Sequence, residues 1–216
     1  MAGGAMRKKI VRTEERVFPP ARRLSDCMLA EHWARYRFIA RRARGRLLDL
    51  GCGTGYGSFE LARQEATTEV IGVDSSSEPL AWAARYYHHP KVDYRRIDLT
   101  QSGWESNLRL FDGIVALEIL EHLASEEPFW IGVDRALAAG GSFWLSTPLG
   151  RGRGRTASDP FHVHQLRRSE VERLFSVGWE AIFFGQTGEW IEPWVMGRRY
   201  RTILVCARRR SQESLR

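Results

Sequence analysis

The stretch RLLDLGCGTGYGS, residues 46–58, carries the strongest structural signal in the sequence. Its first five residues are mostly apolar and predict a short buried strand, which runs directly into glycines at positions 51, 53, 55 and 57. Glycines let a backbone turn sharply and approach a ligand closely, and the N–H groups of a helix start can then face that ligand. The spacing from Gly53 also fits G-x-G-x-x-small, so the turn alone does not separate a dinucleotide from another nucleoside cofactor.

Strands and helices alternate after this turn. The segments that read as strands are EVIGVD, VDYRRID, FDGIVALE, GGSFWLSTP, WEAIFFGQ and YRTILVCAR, and helical patterns separate most of them. Such alternation predicts an α/β fold in which helices cover both faces of a mostly parallel sheet. The last two strands have no helix between them, so the final strand can return antiparallel. In such sheets ligands bind beyond the carboxyl ends of the strands.

The length of 216 residues predicts one compact domain, and 43% hydrophobic residues suffice for its core. We expect residues 1–24 to form a flexible basic arm, a first helix to begin at Ser25, and residues 208–216 to form a basic tail. No window approaches ~18 consecutive apolar residues, so no membrane span is predicted. The polar N-terminus also argues against a secretory signal.

The charge and the cysteines bear on partners and location. The formal net charge is +7, which favours acidic partners in general, but no basic stripe interleaved with aromatic residues points to nucleic acid. Cys27, Cys52 and Cys206 lie far apart and are odd in number, so they predict neither a disulfide framework nor a zinc site. A cytoplasmic location is the expectation.

Acidic residues follow the next two predicted strands. Asp74 ends IGVD about 20 residues after the glycines, where a carboxylate accepts hydrogen bonds from a ribose diol. Asp74 or Ser75 can equally cap the following helix. Asp98 in RRIDLT can accept from an adenine amino group or serve as a turn residue. Three ordered strand ends with such partners favour an adenosine cofactor.

The order and spacing of LDLGCGTG, IGVD, RIDLT, FDGIVALEILEHL and GGSFWLSTP resemble the motifs of class I S-adenosylmethionine-dependent methyltransferases, over roughly residues 25–207. This resemblance implies a Rossmann-like, three-layer, seven-stranded sheet with an antiparallel last strand, and S-adenosylmethionine as cofactor. It is similar to the ubiquinone-pathway O-methyltransferase-like branch. The cofactor residues it implies are Trp33 and Tyr36 on a capping first helix, Asp49, Gly51, Cys52, Gly53 and Gly55 at the turn, and Asp74, Ser75, Asp98 and Leu99 at the next strand ends.

The segment ALEILEHL, residues 116–123, places charges after an apolar strand. Burying an unpaired carboxylate is costly, so Glu118, Glu121 and His122 need a role. Two carboxylates and an imidazole suit Mg²⁺, Mn²⁺ or Zn²⁺, and such an ion would lower the pKa of a substrate hydroxyl. Without metal, Glu118 or His122 can act as general base. A third alternative is that the segment only shapes the turn.

The E-x-x-E-H cluster also resembles that of 3′-terminal RNA 2′-O-methyltransferases, which add a histidine after the fifth strand. His162 has the matching offset here, with His164 as second choice, and His162 joins the candidate catalytic and metal residues. The aromatic-acidic neighbourhood expected around that histidine in the RNA enzymes is missing, which argues against RNA.

Two further segments are candidates for recognition of the methyl acceptor. PLGRGRGRTASDP predicts a mobile loop over the cleft whose Arg151, Arg153 and Arg155 could clamp an anion, or a solvated loop without that role. The insertion at residues 190–200 carries Trp190 and Trp194, for an acceptor pocket or a dimer contact.

The sequence therefore predicts a methyltransferase that acts on the oxygen of a small-molecule or glycan intermediate. An anionic acceptor is compatible with this prediction. The alternatives are RNA 3′-end 2′-O-methylation and a catalytically inactive cofactor-binding subunit.

Overall fold

The computed structural model describes residues 26–155 and 161–210, so the predicted arm at 1–24 and most of the predicted tail lie outside the described residues. The strands and helices alternate as the sequence predicts. In chain order they are α1 Asp26–Ala40, β1 Gly45–Leu50, α2 Tyr56–Ala62, β2 Thr67–Asp74, α3 Ser77–Tyr86, β3 Val92–Arg96, β4 Phe111–Leu117, a 3₁₀ turn Leu120–His122, α4 Glu127–Ala136, β5 Leu137–Pro148, α5 Arg168–Leu174, β6 Trp179–Thr187, β7 Trp190–Pro193 and β8 Thr202–Arg209.

One sheet of eight strands runs through the described chain in the order β3-β2-β1-β4-β5-β8-β6-β7. Strands β1 to β5 pair in parallel, and β8 lies antiparallel between β5 and β6. The predicted Rossmann-like sheet and its antiparallel last strand are confirmed. The strand beyond the expected seven is β7, which the tryptophan insertion forms by pairing antiparallel with β6 at the sheet edge.

Helices pack on both faces of the sheet. Helices α1 and α2 cover one face, where Ile39, Leu61 and Val115 are fully buried. Helices α4 and α5 cover the other face, where Phe129 and Phe143 are fully buried among neighbouring aromatic rings. Burying each such side chain contributes about 1.5–3 kcal/mol. The largely apolar interiors of β1 and β4 are explained by this two-sided burial, because a central parallel strand contacts helices on both faces.

The register of the central strands assembles the site. Leu50, at the end of β1, pairs with Val73 of β2 on one side and with Ala116 of β4 on the other. The residues that follow these three positions therefore emerge in one row at the carboxyl edge of the sheet. Strand β4 ends at Leu117 as predicted, and Glu118 leaves it in the left-handed region at φ 55°.

The remaining expectations about the chain as a whole concern cysteines and membranes. All three cysteines are free thiols, in line with the prediction of no disulfide framework. None of the helices in the described part of the chain has the length and hydropathy that a membrane crossing needs. Strand β8 continues to Arg209, so the sheet extends two residues into the segment predicted as tail.

Gly132 in α4 provides a test of the packing. A Cβ atom added there would lie 2.1 Å from Cε2 of Trp104, whose ring is almost completely buried and donates to the carbonyl of Pro128. We expect Gly132→Ala to lower the free energy of unfolding by about 1–3 kcal/mol, measured by urea denaturation, because overpacking outweighs the better helix propensity of alanine.

The control is Ala84→Gly at an exposed position of α3, which reports helix propensity alone and should cost about 1 kcal/mol. A Gly132→Ala variant more stable than the wild type would contradict the observed packing.

Candidate active site

A cavity of about 440 Å³ opens at the carboxyl edge of the sheet, within the range usual for small-molecule sites. It lies between α1, the glycine turn after β1, and the ends of β2, β3 and β4. Its lining residues are His32, Tyr36, Gly51, Cys52, Gly53, Thr54, Tyr56, Asp74, Ser75, Pro79, Ile97, Asp98, Leu99, Thr100, Leu117, Glu118, Ile119, His122 and Leu123. The cavity is therefore where the topology rule for open α/β sheets predicts a ligand site.

The glycine turn forms the floor of this cavity. Gly51 has a φ of 66°, and a Cβ atom there would lie 2.0 Å from Cδ1 of Ile119. Gly53 has a φ of 54°, and a Cβ atom there would have nothing within 4 Å. Gly51 is thus required for packing, whereas Gly53 leaves its side of the turn open for a ligand to approach the backbone.

Asp49 lies beneath the turn and is completely buried. Its carboxylate accepts hydrogen bonds from the Ser58 hydroxyl at 2.6 Å and from the Tyr36 hydroxyl at 3.1 Å. Burial raises the pKa of Asp49 to about 7, against the lowering effect of these two hydrogen bonds. The carboxyl group therefore ties β1 to α2 and α1, and does not itself line the cavity.

Asp74 and Asp98 stand at the ends of β2 and β3 and line the cavity together. Asp74 accepts from the backbone N–H of Gly53 at 3.1 Å and of Ser76 at 2.8 Å, so it braces the glycine turn and the start of α3 at once. Asp98 accepts from the N–H and hydroxyl of Thr100 at 3.0 and 2.7 Å, and these bonds hold the pKa of Asp98 below its usual range. Both carboxylates keep lone pairs for a ligand.

Helix α1 supplies the wall opposite the strand ends. Tyr36 lines the cavity as predicted, but Trp33 does not and instead packs its ring 5.3 Å from that of Tyr56. His32 lines the cavity in its place, with Nδ1 3.0 Å from the Tyr56 hydroxyl. Arg35 is buried behind them and donates to Gln186 of β6 at 2.7 Å. One turn of helix thus fixes three polar groups at the site.

Glu118 is held where β4 opens into the cavity. Its backbone N–H donates to the carbonyl of Ser146 at 3.0 Å, and its carboxylate accepts from the Ser146 hydroxyl at 2.6 Å. Burial by itself would raise the pKa of Glu118, but the charge of Arg35, the proximity of His32 and the serine hydrogen bond together hold it below its usual value. The carboxylate is therefore ionised near neutral pH.

Glu121, His122 and His162 form a second group beside Glu118. One potential ligand atom from each lies within 4.8 Å of the others, and Glu118 is not part of this set. The N–H of Val163 donates to the carbonyl of Glu121 at 2.7 Å, which holds the segment carrying His162 against the 3₁₀ turn. Of the four residues predicted for a metal, the structure brings these three together, and the Glu118 carboxylate accepts from Ser146 instead.

The protonation states of this group follow from its surroundings. Glu121 is buried, its Oε2 accepts from Thr147 at 3.0 Å, and its Oε1 is buried without a hydrogen-bond partner. Burial first, and then the charge of Glu118, raise the pKa of Glu121 well above its usual value. His122 Nδ1 lies 3.2 Å from the carbonyl of Phe161, so Nδ1 is the donor in this contact.

In the arginine loop, Arg153 is already paired with a carboxylate of the protein, which argues against its predicted role as an anion clamp. That side chain makes a bidentate pair with Glu126, at 2.7 and 2.9 Å. Its backbone N–H donates to Glu170 at 3.2 Å. His164, the second choice for a metal ligand, also pairs with Glu126 at 3.2 Å and not with the His122 group. The residues 156–160 of the predicted loop lie outside the described part of the chain.

The tryptophan insertion lies at the sheet edge and lines no part of this cavity. Trp190 is largely exposed on β7. Trp194 packs its ring 4.7 Å from that of Tyr200 and under the guanidinium of Arg168.

Residues 48–145 match the sequence profile of a family described as "Methyltransferase domain". The chain contains a methyltransferase domain. S-adenosylmethionine is the cofactor of this family, in agreement with the prediction.

Curated relatives agree with this assignment. A protein of Mycolicibacterium smegmatis named as a probable S-adenosylmethionine-dependent methyltransferase is 33% identical over 155 residues, which cover 69% of this chain and 58% of that protein. The ubiquinone biosynthesis O-methyltransferase of Dechloromonas aromatica is 36% identical over 104 residues, which cover 47% of this chain and 44% of that enzyme. The chain thus spans about half the length of these relatives.

Solved structures share the fold of the methyltransferase domain. The DhpI-SAM-HEP complex superposes with a TM-score of 0.58 at 21% identity and covers 85% of this chain and 99% of that one. The methyltransferase domain of bacterial-CtHen1-C superposes with a TM-score of 0.62 at 16% identity and covers 85% and 100%.

The sequence named most of the cavity lining in this domain but missed part of it. Of the predicted cofactor residues, Asp49, Gly55 and Trp33 lie behind the lining, and the others contribute to it. The main omissions are His32 and Tyr56, whose polar atoms meet across two helices. A histidine one residue before Trp33 in the capping helix was the only available signal for this pair.

The pKa of Asp49 predicts a pH dependence of stability. Its folded-state pKa is raised, so the group stabilises the fold fully below its unfolded value of 3.8 and loses that contribution as pH rises towards about 7. The difference in unfolding free energy, wild type minus Asp49→Asn, should fall with rising pH by at most about 1.4 kcal/mol per pH unit and level off above about 7. Urea denaturation across this range measures it.

The matched control is Asp93→Asn, an exposed carboxylate on β3 in a surface ion pair with Arg95. A wild-type minus Asp49→Asn difference that is flat between pH 4 and 7, or that rises, would show that the carboxyl group is not protonated on burial.

Proposed function

We propose that this chain is an S-adenosylmethionine-dependent methyltransferase of the cytoplasm that methylates a hydroxyl oxygen of a small-molecule or glycan intermediate. The observation that carries the proposal is a single cavity that combines an open glycine turn with Asp74 and Asp98 on one side and Glu118 and His122 on another. The glycine turn with Asp74 and Asp98 suits an adenosine cofactor, whereas Glu118 and His122 suit the removal of a hydroxyl proton. The D. aromatica relative, named an O-methyltransferase, supports oxygen as the target.

The residues present fit the cofactor. Asp74 has the position and the spare lone pairs to accept from a ribose diol, and Asp98 to accept from an adenine amino group. Gly53 leaves space above the turn for the methionine end. When bound, the cofactor supplies a methyl group on a positively charged sulfonium, and the three carboxylates of the lining complement that charge.

Glu118 is the residue that we assign to the acceptor proton. It is ionised, half-buried at the edge of the cavity, and fixed by Ser146, so its second oxygen has a defined direction. A carboxylate held in this way can accept the proton of a hydroxyl or orient that hydroxyl for in-line attack. His122, which also lines the cavity, and His162 beside it are the other candidate catalytic residues.

A divalent metal fits the second group. Glu121 presents a buried oxygen without a hydrogen-bond partner, and His122 and His162 each bring an imidazole nitrogen within 4.8 Å of its carboxylate. One carboxylate and two imidazoles suit Zn²⁺ or Mn²⁺ better than Mg²⁺, which prefers oxygen ligands. Metal bonds of about 2.1 Å place donor atoms within about 4.2 Å of one another, and the donor atoms of this group all lie within 4.8 Å of one another. A bound ion would supply Lewis-acid chemistry next to Glu118.

An RNA acceptor is the second candidate, because the group of Glu121, His122 and His162 resembles the glutamate and histidine cluster of the 3′-terminal RNA 2′-O-methyltransferases. An assay of methyl transfer from labelled cofactor distinguishes the two candidate acceptors. It compares single-stranded RNA with hydroxylated aromatic and sugar compounds. Transfer to RNA alone would replace the small-molecule assignment. Cofactor binding without transfer to any of them would favour an inactive cofactor-binding subunit.

Cofactor binding is expected to depend on Asp74. Removal of the carboxylate by Asp74→Ala should weaken the binding of S-adenosylhomocysteine by about 10- to 100-fold, because a hydrogen bond to a charged group contributes about 1.5–3 kcal/mol. Isothermal titration calorimetry measures the effect, with Asp93→Ala on the neighbouring strand as control. Equal affinity of Asp74→Ala and wild type would contradict the proposed orientation of the cofactor.

Metal binding is expected to depend on Glu121 and not on Glu118. Glu121→Gln should weaken Mn²⁺ binding at least about tenfold, because even the loss of a residue that only hydrogen-bonds a metal ligand typically has an effect of this size. Glu118→Gln should change Mn²⁺ binding little. Electron paramagnetic resonance titration of Mn²⁺ gives this readout without any acceptor. Equal losses in both variants would restore the four-residue set, and no Mn²⁺ binding to the wild type would remove the metal.

A further inference from the structure

We infer that His32, held by Tyr56, is the residue that receives the acceptor hydroxyl, and that the reacting end of the acceptor is uncharged. This inference rests on the proposed function and adds a residue and a substrate class to it. It departs from the sequence analysis, with which an anionic acceptor is compatible.

The placement of His32 is the first step. Its ring lines the cavity, and its Nδ1 is engaged by the Tyr56 hydroxyl at 3.0 Å. Tyr56 is buried and its own ring packs against those of Trp33 and Tyr36, so the hydroxyl that holds His32 is itself fixed. Nε2 of His32 is the nitrogen left to pair with a ligand in the cavity.

The charge state of His32 is the second step. Burial first, and then the neighbouring Arg35 charge, lower the pKa of His32 to about 3, although Glu118 opposes this. The imidazole is therefore neutral at physiological pH and offers one donor and one acceptor. Because the Tyr56 hydroxyl can donate or accept, Nε2 carries either a proton or a lone pair. A hydroxyl pairs with both forms, whereas a carboxylate requires the first and an ammonium the second.

The charges around the cavity are the third step. No lysine or arginine is present among the described residues that line it. Arg35, the nearest buried cation, lies behind the lining, donates to Gln186, and is balanced by the ionised Glu118. An anionic reacting group would therefore lack a counter-charge from the protein, and a cationic one would meet only Glu118 at this end of the cavity, whose charge Arg35 already balances. An uncharged hydroxyl carries neither penalty.

Tyr36 and Tyr56, with Leu117 beside them, give the wall an apolar and aromatic character as well. A small aromatic alcohol is thus a suitable probe. Benzyl alcohol, benzylammonium and phenylacetate share one ring and differ in the polar group alone.

The test is saturation-transfer NMR of these three probes with the full chain bound to S-adenosylhomocysteine. We expect benzyl alcohol to bind, and the two ions to bind more weakly. His32→Leu should weaken benzyl alcohol binding about three- to tenfold, the value of one neutral hydrogen bond. His32→Gln, which retains a polar group near the position of Nε2, should recover part of the loss, and Tyr56→Phe should show an intermediate loss. S-adenosylhomocysteine affinity should stay unchanged in His32→Leu, which also reports an intact fold.

The control is His88→Leu, the same change at an exposed histidine outside the cavity. Phenylacetate or benzylammonium binding as tightly as the alcohol would overturn the uncharged acceptor. Alcohol binding unaffected by His32→Leu, or absent from the wild type, would overturn the role of His32. Failure of S-adenosylhomocysteine to bind the wild type would instead refute the proposed function itself.

Discussion

The buried carboxyl group of Asp49 is the interaction on which the site depends. It joins the central strand to both helices on its face, through Ser58 of α2 and Tyr36 of α1. A buried polar group without such partners would cost several kilocalories, so the network fixes all three elements together. The glycine turn above it then has a defined shape, and α1 has a defined position as the wall of the cavity.

A second buried interaction secures the other end of that wall. Arg35 donates to Gln186 of β6, and the Gln186 amide in turn donates to the carbonyls of Glu31 and Gly188. Helix α1 is therefore attached to the far strands of the sheet as well as to β1. The same arginine charge keeps Glu118 ionised, so one residue contributes both to the position of the wall and to the electrostatics of the cavity.

The sheet and most of the cavity were predictable because their signals are local. The apolar run before Gly51 and the acidic residue at Asp74 each follow from one strand and the turn after it. The end of β4 before Glu118 was predictable for the same reason.

Contacts between distant segments were not predictable. The pairing of His32 with Tyr56 joins residues 24 positions apart on two helices, and neither has a pattern that requires the other. Likewise, the spacing of Glu118, Glu121 and His122 suggests one cluster, but Ser146 holds the first and Thr147 the second. Two adjacent side chains of β5 thus hold the two carboxylates, and the sequence around residue 118 contains no sign of this.

A crystal structure of the chain with S-adenosylhomocysteine tests the central claim most directly. We expect the ribose within hydrogen-bond distance of Asp74, the adenine amino group near Asp98, and the sulfur facing the space between Glu118 and His32. A nucleoside bound outside this cavity, or bound in it with the sulfur directed away from Glu118, would contradict the proposed cofactor site and the role of Glu118.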